Sequence, residues 1–267
     1  MRWWRLAVAT LLLAGCATIE QRDPGVRGRQ GVSVVRVIDG DSLIVETGAG
    51  PLEVRLDGVN TPEVGECHHE AAREHLTAML ENSVLTLGLE GVDRFGRALA
   101  RLEADGIDVV FEQVRWGHGL AVASAADAER LITAEEAAHR ERVGMWGNDC
   151  RRSPDIAVGF DTEGSVTDPP GDDGGRLDDE IVLVVNSGDR PVDLAGWQLR
   201  DGSSRHRFRF ADGSVLAPGK RIAVASSAPG WAPSGEPVWS NIGDVAILAD
   251  DSGRVVARWR YRAPLGT

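Results

Sequence analysis

Between positions 34 and 56 the apolar residues fall into three short runs. Val34-Val35-Arg36-Val37-Ile38 leads into Asp39-Gly40-Asp41, and Leu43-Ile44-Val45 follows. An Asp-Gly pair between two β-branched runs marks a turn between strands. The third run, Leu52-Glu53-Val54-Arg55-Leu56, alternates apolar with charged residues. It ends in Asp57-Gly58-Val59-Asn60-Thr61-Pro62-Glu63, a polar turn pinned by Pro62. The period then changes. Over 69–80, Ala72, Leu76, Met79 and Leu80 share one helical face. Positions 83–89, with Val84, Leu85 and Leu87, read as a strand, as do 98–102, and Asp105-Gly106 reads as a turn. Positions 107–116 and 131–143 read as helices, the first ended by Gly117. Five strands interrupted and followed by helices fit a small Greek-key barrel.

Past residue 160 the pattern is short strands separated by Gly, Pro and Asp turns, with no helical run. Two segments alternate charge with aromatics. Arg205, Arg207 and Arg209 share one strand face and Phe208 and Phe210 the other; Arg258, Arg260 and Arg262 repeat this with Trp259 and Tyr261 opposite. On neighbouring strands, two such rows would form a basic stripe able to bind phosphates. The competing reading is a pair of ordinary solvated faces. Positions 168–175, rich in Asp, Pro and Gly, read as an acidic loop between the first two strands of this part.

The first sixteen residues do not belong to the fold. Arg2 and Arg5 precede an apolar stretch from Leu6 to Ala14 that is too short to remain as a membrane span. Leu13-Ala14-Gly15-Cys16 resembles a bacterial lipobox, which implies an acylated Cys16 held at a membrane surface, with a plain secretory cleavage as the alternative. The expected division is a signal over 1–15, a polar tether over 16–30, a first domain over 31–150, a linker over 151–160 and a second domain over 161–267. A length of 267 residues suits two domains.

Loss of Arg2 and Arg5 with the signal takes the formal charge from −12 to −14, which excludes general electrostatic adhesion to nucleic acid. A nucleic-acid enzyme here needs a locally basic cleft or a divalent ion. With Cys16 assigned to lipid, Cys67 and Cys150 remain. In an oxidising compartment they are expected to form a bridge from the segment after Glu63 to the end of the last helix, two free thiols being the alternative.

Asp41, Arg55 and Glu63 could converge where neighbouring strands end, and two acids around a guanidinium suit phosphodiester chemistry. The residues "V-I-D-G-D-S" at 37–42 and "R-L-D-G-V-N-T-P-E" at 55–63 resemble the signature of the staphylococcal-nuclease-like (thermonuclease) family. Asp93-Arg94-Phe95-Gly96-Arg97 resembles its second block, and the likeness covers roughly residues 31–148. It implies the same OB-type Greek-key barrel. It also implies that Asp41, Asn60 and the Thr61 carbonyl hold Ca²⁺, that Glu63 activates water, and that Arg55 and Arg97 bind the phosphate. Asn60 stands where an acid is often found, so Ca²⁺ should bind more weakly. Ser124-Ala125-Ala126-Asp127 replaces aromatics that stack on the nucleotide in familiar members. His68 and His69 are read as solvated turn residues in preference to metal ligands.

The second domain resembles the lamin-tail family through "E-I-V-L-V-V-N-S-G" at 180–188 and "D-L-A-G-W-Q-L-R-D" at 193–201. That likeness implies an immunoglobulin-like β-sandwich, and short strands with turn signals agree with it. The whole chain therefore reads as a mixed, β-rich protein. Its expected function is a lipid-anchored extracytoplasmic nuclease, monomeric, cleaving DNA and RNA to leave 3′-phosphates. The alternative is a catalytically silent OB-fold protein that binds nucleic acid at the cell surface. No protein partner is inferred.

Overall fold

In a computed structural model of the chain, residues 30–93, 96–122, 125–147, 150, 156–169, 175–202, 205–241 and 243–261 are described. The signal, Cys16 and Arg262 lie outside them, as do Arg94, Phe95, Ser124 and residues 170–174.

The first domain is a closed five-stranded barrel. Strands β1 (Gln30–Val37), β2 (Ser42–Thr47) and β3 (Gly50–Leu56) form an antiparallel meander, and β1 takes in Gln30, the last residue of the expected tether. After the short β4 (Val59–Asn60) and α1 (His69–Leu80) come β5 (Leu85–Val92) and β6 (Ala98–Ala104). β5 pairs with β1, and β6 closes the barrel by a parallel pairing with β3 that sets Arg55 opposite Leu99. Alternation sends Leu43, Val45, Val54, Leu56, Leu87 and Leu102 inward. Leu76 of α1 packs against this core, as do Val110 and Val114 of α2 (Val109–Arg115) and Leu131 of α3 (Ala128–Glu141).

Two helix boundaries differ from the sequence reading. Ile107–Asp108 is a short strand, β7, pairing back on Glu103–Ala104 through Asp105 and Gly106, both at positive φ. The helix starts at Val109 because the Asp108 carboxylate accepts from the Phe111 amide at 3.1 Å and caps it. α3 begins at Ala128, three residues earlier than the apolar spacing predicts. A two-stranded link between β4 and β8 (Leu120–Ala121) holds the polar turn against the helical side.

The second domain stacks a three-stranded sheet against a five-stranded one. The first contains β9 (Val158–Phe160), β10 (Ile181–Asn186) and β15 (Arg221–Ala225). Val158–Phe160 thus belongs to this domain and not to a linker, its pairing with β10 being too short to leave a sequence period. The small pair β11 (Val192–Asp193) and β14 (Val215–Leu216) lies apart from both sheets. The five-stranded sheet contains β12 (Gln198–Arg200), β13 (Arg207–Arg209), β16 (Trp231–Ala232), β17 (Asp244–Ala249) and β18 (Val255–Tyr261), in the order β16-β13-β12-β17-β18. Trp197, Leu199, Phe210, Trp231, Trp239, Ala246 and Leu248 fill its core.

β17 is buried along its whole length, which a sandwich strand with one solvated face would not be. Ala246 and Leu248 face the sandwich core, while Val245 and Ile247 pack on Leu120 and Met145 of the first domain. The outer face of the five-stranded sheet is therefore an interdomain surface. Among the described residues, no helix is long and apolar enough to cross a membrane.

Cys67 and Cys150 are joined, closing a loop of 83 residues from the turn after Glu63 to the end of the first domain. The chain-entropy model gives such a loop about 4.5 kcal/mol. Cys67→Ser/Cys150→Ser should unfold in denaturant with a loss of that order, and thiol labelling of the native protein should find no free Cys67 or Cys150. Equal stability of the two proteins would refute the contribution.

Candidate active site

Strand register builds the site. β2 and β3 pair with Ser42 opposite Arg55, so Asp41, one residue before β2, meets the guanidinium at the end of β3. Arg55 Nη1 donates to Asp41 Oδ1 at 2.5 Å, and Ser42 Oγ donates to the same oxygen at 3.0 Å. The other oxygen, Oδ2, accepts from the Thr61 amide at 2.7 Å and the Thr61 hydroxyl at 3.1 Å. Asp41 is fully buried, and four hydrogen bonds satisfy its two oxygens. Arg55 Nη2 donates to Asn60 Oδ1 at 3.1 Å, so one guanidinium spans Asp41 and Asn60.

The backbone around these groups is crowded. A Cβ on Gly40 would come within 2.9 Å of Thr61 and Ala72, so only glycine lets the 39–41 turn approach. Buried Gln113 donates to the carbonyls of Gly40 at 2.6 Å and Ala72 at 3.2 Å, tying that turn to α1 and α2. Asp39 accepts from the Asp41 amide at 2.9 Å. Burial, and then the charge of Asp41, push its carboxyl up to about 6.

Glu63 follows Pro62 on the same turn. Burial raises its pKa above the ordinary value, and the charge of Asp41 adds to this, while Arg200, Arg207 and Arg55 pull it back. Its backbone amide donates to Glu66 Oε2 at 3.0 Å, and its carboxylate lies 3.4 Å from Arg207 Nη2. Glu66 is itself buried and receives Arg200 in a two-point contact, Nε to Oε1 at 2.7 Å and Nη2 to Oε2 at 2.9 Å. Burial opposes its charge, but the charge and hydrogen bonds of Arg200 outweigh burial and hold its pKa below the usual value.

Arg97 is placed differently. It lies one residue before β6, and its side chain is engaged by Asp93, Nε to Oδ2 at 2.7 Å. Asp41, Arg55, Asn60 and Thr61 are thus in direct contact, Glu63 joins them through the charges around it, and the contact given for the Arg97 side chain is with Asp93.

Ca²⁺ needs several hard oxygens. The Asp41 carboxylate and Asn60 Oδ1 both touch Arg55, and Asn60 Nδ2 is buried without a hydrogen-bond partner in the described structure. The residues fit a hard cation, with one carboxylate and neutral oxygens. Among the described residues no group of three His, Cys, Asp or Glu side chains is arranged for a metal. His69 is buried, with Nδ1 donating to the Pro62 carbonyl at 2.9 Å, and His68 meets His118 at 2.9 Å, so neither is a simply solvated turn residue.

The arginine rows do not form the expected stripe. β12 and β17 separate β13 from β18, so the rows are not on neighbouring strands. Arg207 faces Glu63 and Glu66, at 3.4 and 3.6 Å. Arg258 and Arg260 both engage Glu135, a buried residue of α3, Arg258 at 2.7 Å. Arg209 reaches the Gly196 carbonyl at 3.1 Å, and Arg205 is exposed. The sheet face that carries Arg207, Arg258 and Arg260 is turned toward the first domain, whose buried acids it neutralises. Glu66, Arg200 and Glu135 gave no signal in the sequence, since each pair joins residues more than a hundred positions apart.

Residues 53–148 match the family model described as Staphylococcal nuclease homologue, and residues 164–263 match Lamin Tail Domain. The chain is 28% identical over 134 residues to Micrococcal nuclease of Shigella flexneri, covering 45% of this chain and 76% of that protein. It is 29% identical over 161 residues to Thermonuclease of Staphylococcus intermedius, covering 53% and 93%. Protein ParB of Escherichia coli is 28% identical over 158 residues, covering 53% and 81%.

Asp39 gives the site a pH signature. Its folded pKa is raised, so the folded state binds more protons than the unfolded state between about 4 and 6. Its contribution is present below that window and is lost as pH rises through it. Relative to Asp39→Asn, the native chain should lose stability from pH 4 to pH 6 and run parallel above it. Parallel unfolding curves across the window would show that Asp39 is not perturbed.

Proposed function

We propose, from the premise that this chain joins a staphylococcal nuclease homologue domain to a lamin tail domain, that it is a lipid-anchored extracytoplasmic endonuclease. It hydrolyses DNA and RNA by cation-assisted attack of water and leaves 3′-phosphates. The observation that carries this reading is the contact set of Arg55 with Asp41 and Asn60, on the turn that leads to a half-buried Glu63.

Glu63 accepts the proton of the attacking water. Its raised pKa makes it a stronger base than an ordinary glutamate. The water oxygen bonds to phosphorus as the bond from phosphorus to the 5′-oxygen breaks, and the 5′-oxygen takes a proton from solvent. Arg55, held in plane by Asp41 and Asn60, and Arg97, held by Asp93, present guanidinium groups to the phosphate oxygens on which negative charge grows. Asp41, Asn60 and the Thr61 carbonyl would hold Ca²⁺, which when bound supplies further positive charge to that phosphate. The anchor rests on the lipobox at 13–16.

The test is cleavage of plasmid, single-stranded DNA and RNA by the chain from residue 26 onward, with Ca²⁺ or with EDTA. Arg55→Ala, Glu63→Ala and Arg97→Ala should each lower turnover by about two orders of magnitude or more. Binding of nucleic acid without cleavage by the native chain would favour the silent OB-fold reading. Asn60→Asp adds a carboxylate to the cation site and should reach half-maximal activity at lower Ca²⁺ than the native chain. Superimposable titrations would remove Asn60 from the ligand set.

A further inference from the structure

The second domain approaches the turn that carries Glu63 from three sides. Arg200, from β12, clamps Glu66 with two hydrogen bonds, and Glu66 in turn accepts from the Glu63 amide. Arg207, from β13, lies 3.4 Å from the Glu63 carboxylate. The Gly202 carbonyl, between these strands, accepts from Arg55 Nη2 at 3.4 Å. On the far side, the Gly253 carbonyl accepts from the Cys67 amide at 2.8 Å. Gly253 is at positive φ, and a Cβ there would lie 2.3 Å from the Gly65 carbonyl, so the two backbones are as close as glycine permits.

This contact is not a lid. Leu120, Met145, Val245 and Ile247 form a buried apolar cluster across the same interface, and Glu135 is bracketed there by Arg258 and Arg260. Opening it would expose that cluster and strand the buried charges of Glu66, Arg200 and Glu135. The docked arrangement is the working one.

We infer that the lamin-tail-like domain is a built-in part of the nuclease site, and that Arg207 is a positioning residue for Glu63. Arg200 acts one step further out, through Glu66. The inference rests on the nuclease reading above. The guanidinium of Arg207 holds the Glu63 carboxylate in place. The other charged groups facing Glu63 are Asp41, Arg200 and Arg55. Glu66 also lies beside it, neutralised by Arg200.

The test uses the whole mature chain. Arg207→Ala should lower kcat on a short oligonucleotide at least tenfold with little change in KM, because the side chain positions the base and does not grip the substrate. Arg207→Lys, which keeps a cationic donor on this strand, should recover much of kcat, whereas Arg207→Gln should not. Circular dichroism and thermal unfolding verify that the variants fold. If Arg207→Ala does not fold, the Arg207→Lys and Arg207→Gln pair carries the same comparison. A native chain that cleaves, with Arg207→Ala unchanged in kcat, overturns this inference alone. A faster Arg207→Ala also overturns it and makes the contact inhibitory. A native chain that does not cleave overturns the nuclease reading and this inference with it.

Discussion

The ion pair between Glu66 and Arg200 is the contact on which the arrangement of the two domains turns. Both side chains are almost wholly buried and joined at two points. A buried charge without its partner is costly, about 3–5 kcal/mol when one side is removed. Each domain therefore holds a charge that only the other can satisfy. Glu135 repeats the device, held by Arg258 and Arg260 from the opposite end of the same sheet. Between the two, Val245 and Ile247 bury apolar surface against Leu120 and Met145, which supplies the non-directional part of the attraction. The ion pairs add direction, fixing which residues of the sheet lie over the Glu63 turn.

That turn is constrained from inside its own domain as well. The Asp41 carboxylate collects four hydrogen bonds from Arg55, Ser42 and Thr61, so β2, β3 and the 60–61 segment meet at one anion. The disulfide from Cys67 to Cys150 fixes the downstream end. Glu63 sits between these two anchors, with the second domain against it. In the proposed mechanism, a base held so closely loses little orientation in reaching the transition state. The cost is desolvation of its charge, visible as the raised pKa of Glu63.

Local pattern and turn chemistry made the first domain largely legible. The Asp-Gly turn, the alternation around Arg55 and the helical spacing over 69–80 all mark elements that the structure contains, because each is decided by neighbours within a few residues. The contacts of Asp41 with Arg55 follow from strand register, which the same alternation specifies. What the sequence hid was the second domain's relation to the first. An arginine beside aromatics on an alternating strand looks the same whether it faces water, phosphate or a buried glutamate. Arg258 and Arg260 read as a phosphate stripe because Glu135, their partner, lies on a helix more than a hundred residues earlier. Val158–Phe160 was hidden for a related reason, since its three residues gain meaning only from pairing with β10.

The same interface resolves how a chain of formal charge −12 accommodates a polyanion. Much of its positive charge cannot attract phosphate at long range, because Arg200, Arg258 and Arg260 are paired with acids inside the interface. Arg55 and Arg207, which meet at the Glu63 turn, are likewise paired, with Asp41 and Glu63. Interactions over a few ångströms persist where long-range ones are screened at physiological salt. Recognition of a phosphodiester here must then depend on fit at this junction rather than on steering by the molecule's overall field. It also follows that cutting away the second domain is not a neutral experiment on the barrel. It would leave Glu66 and Glu135 without their arginines and expose Leu120 and Met145, so lost activity in such a fragment would report a damaged first domain as readily as a missing binding surface.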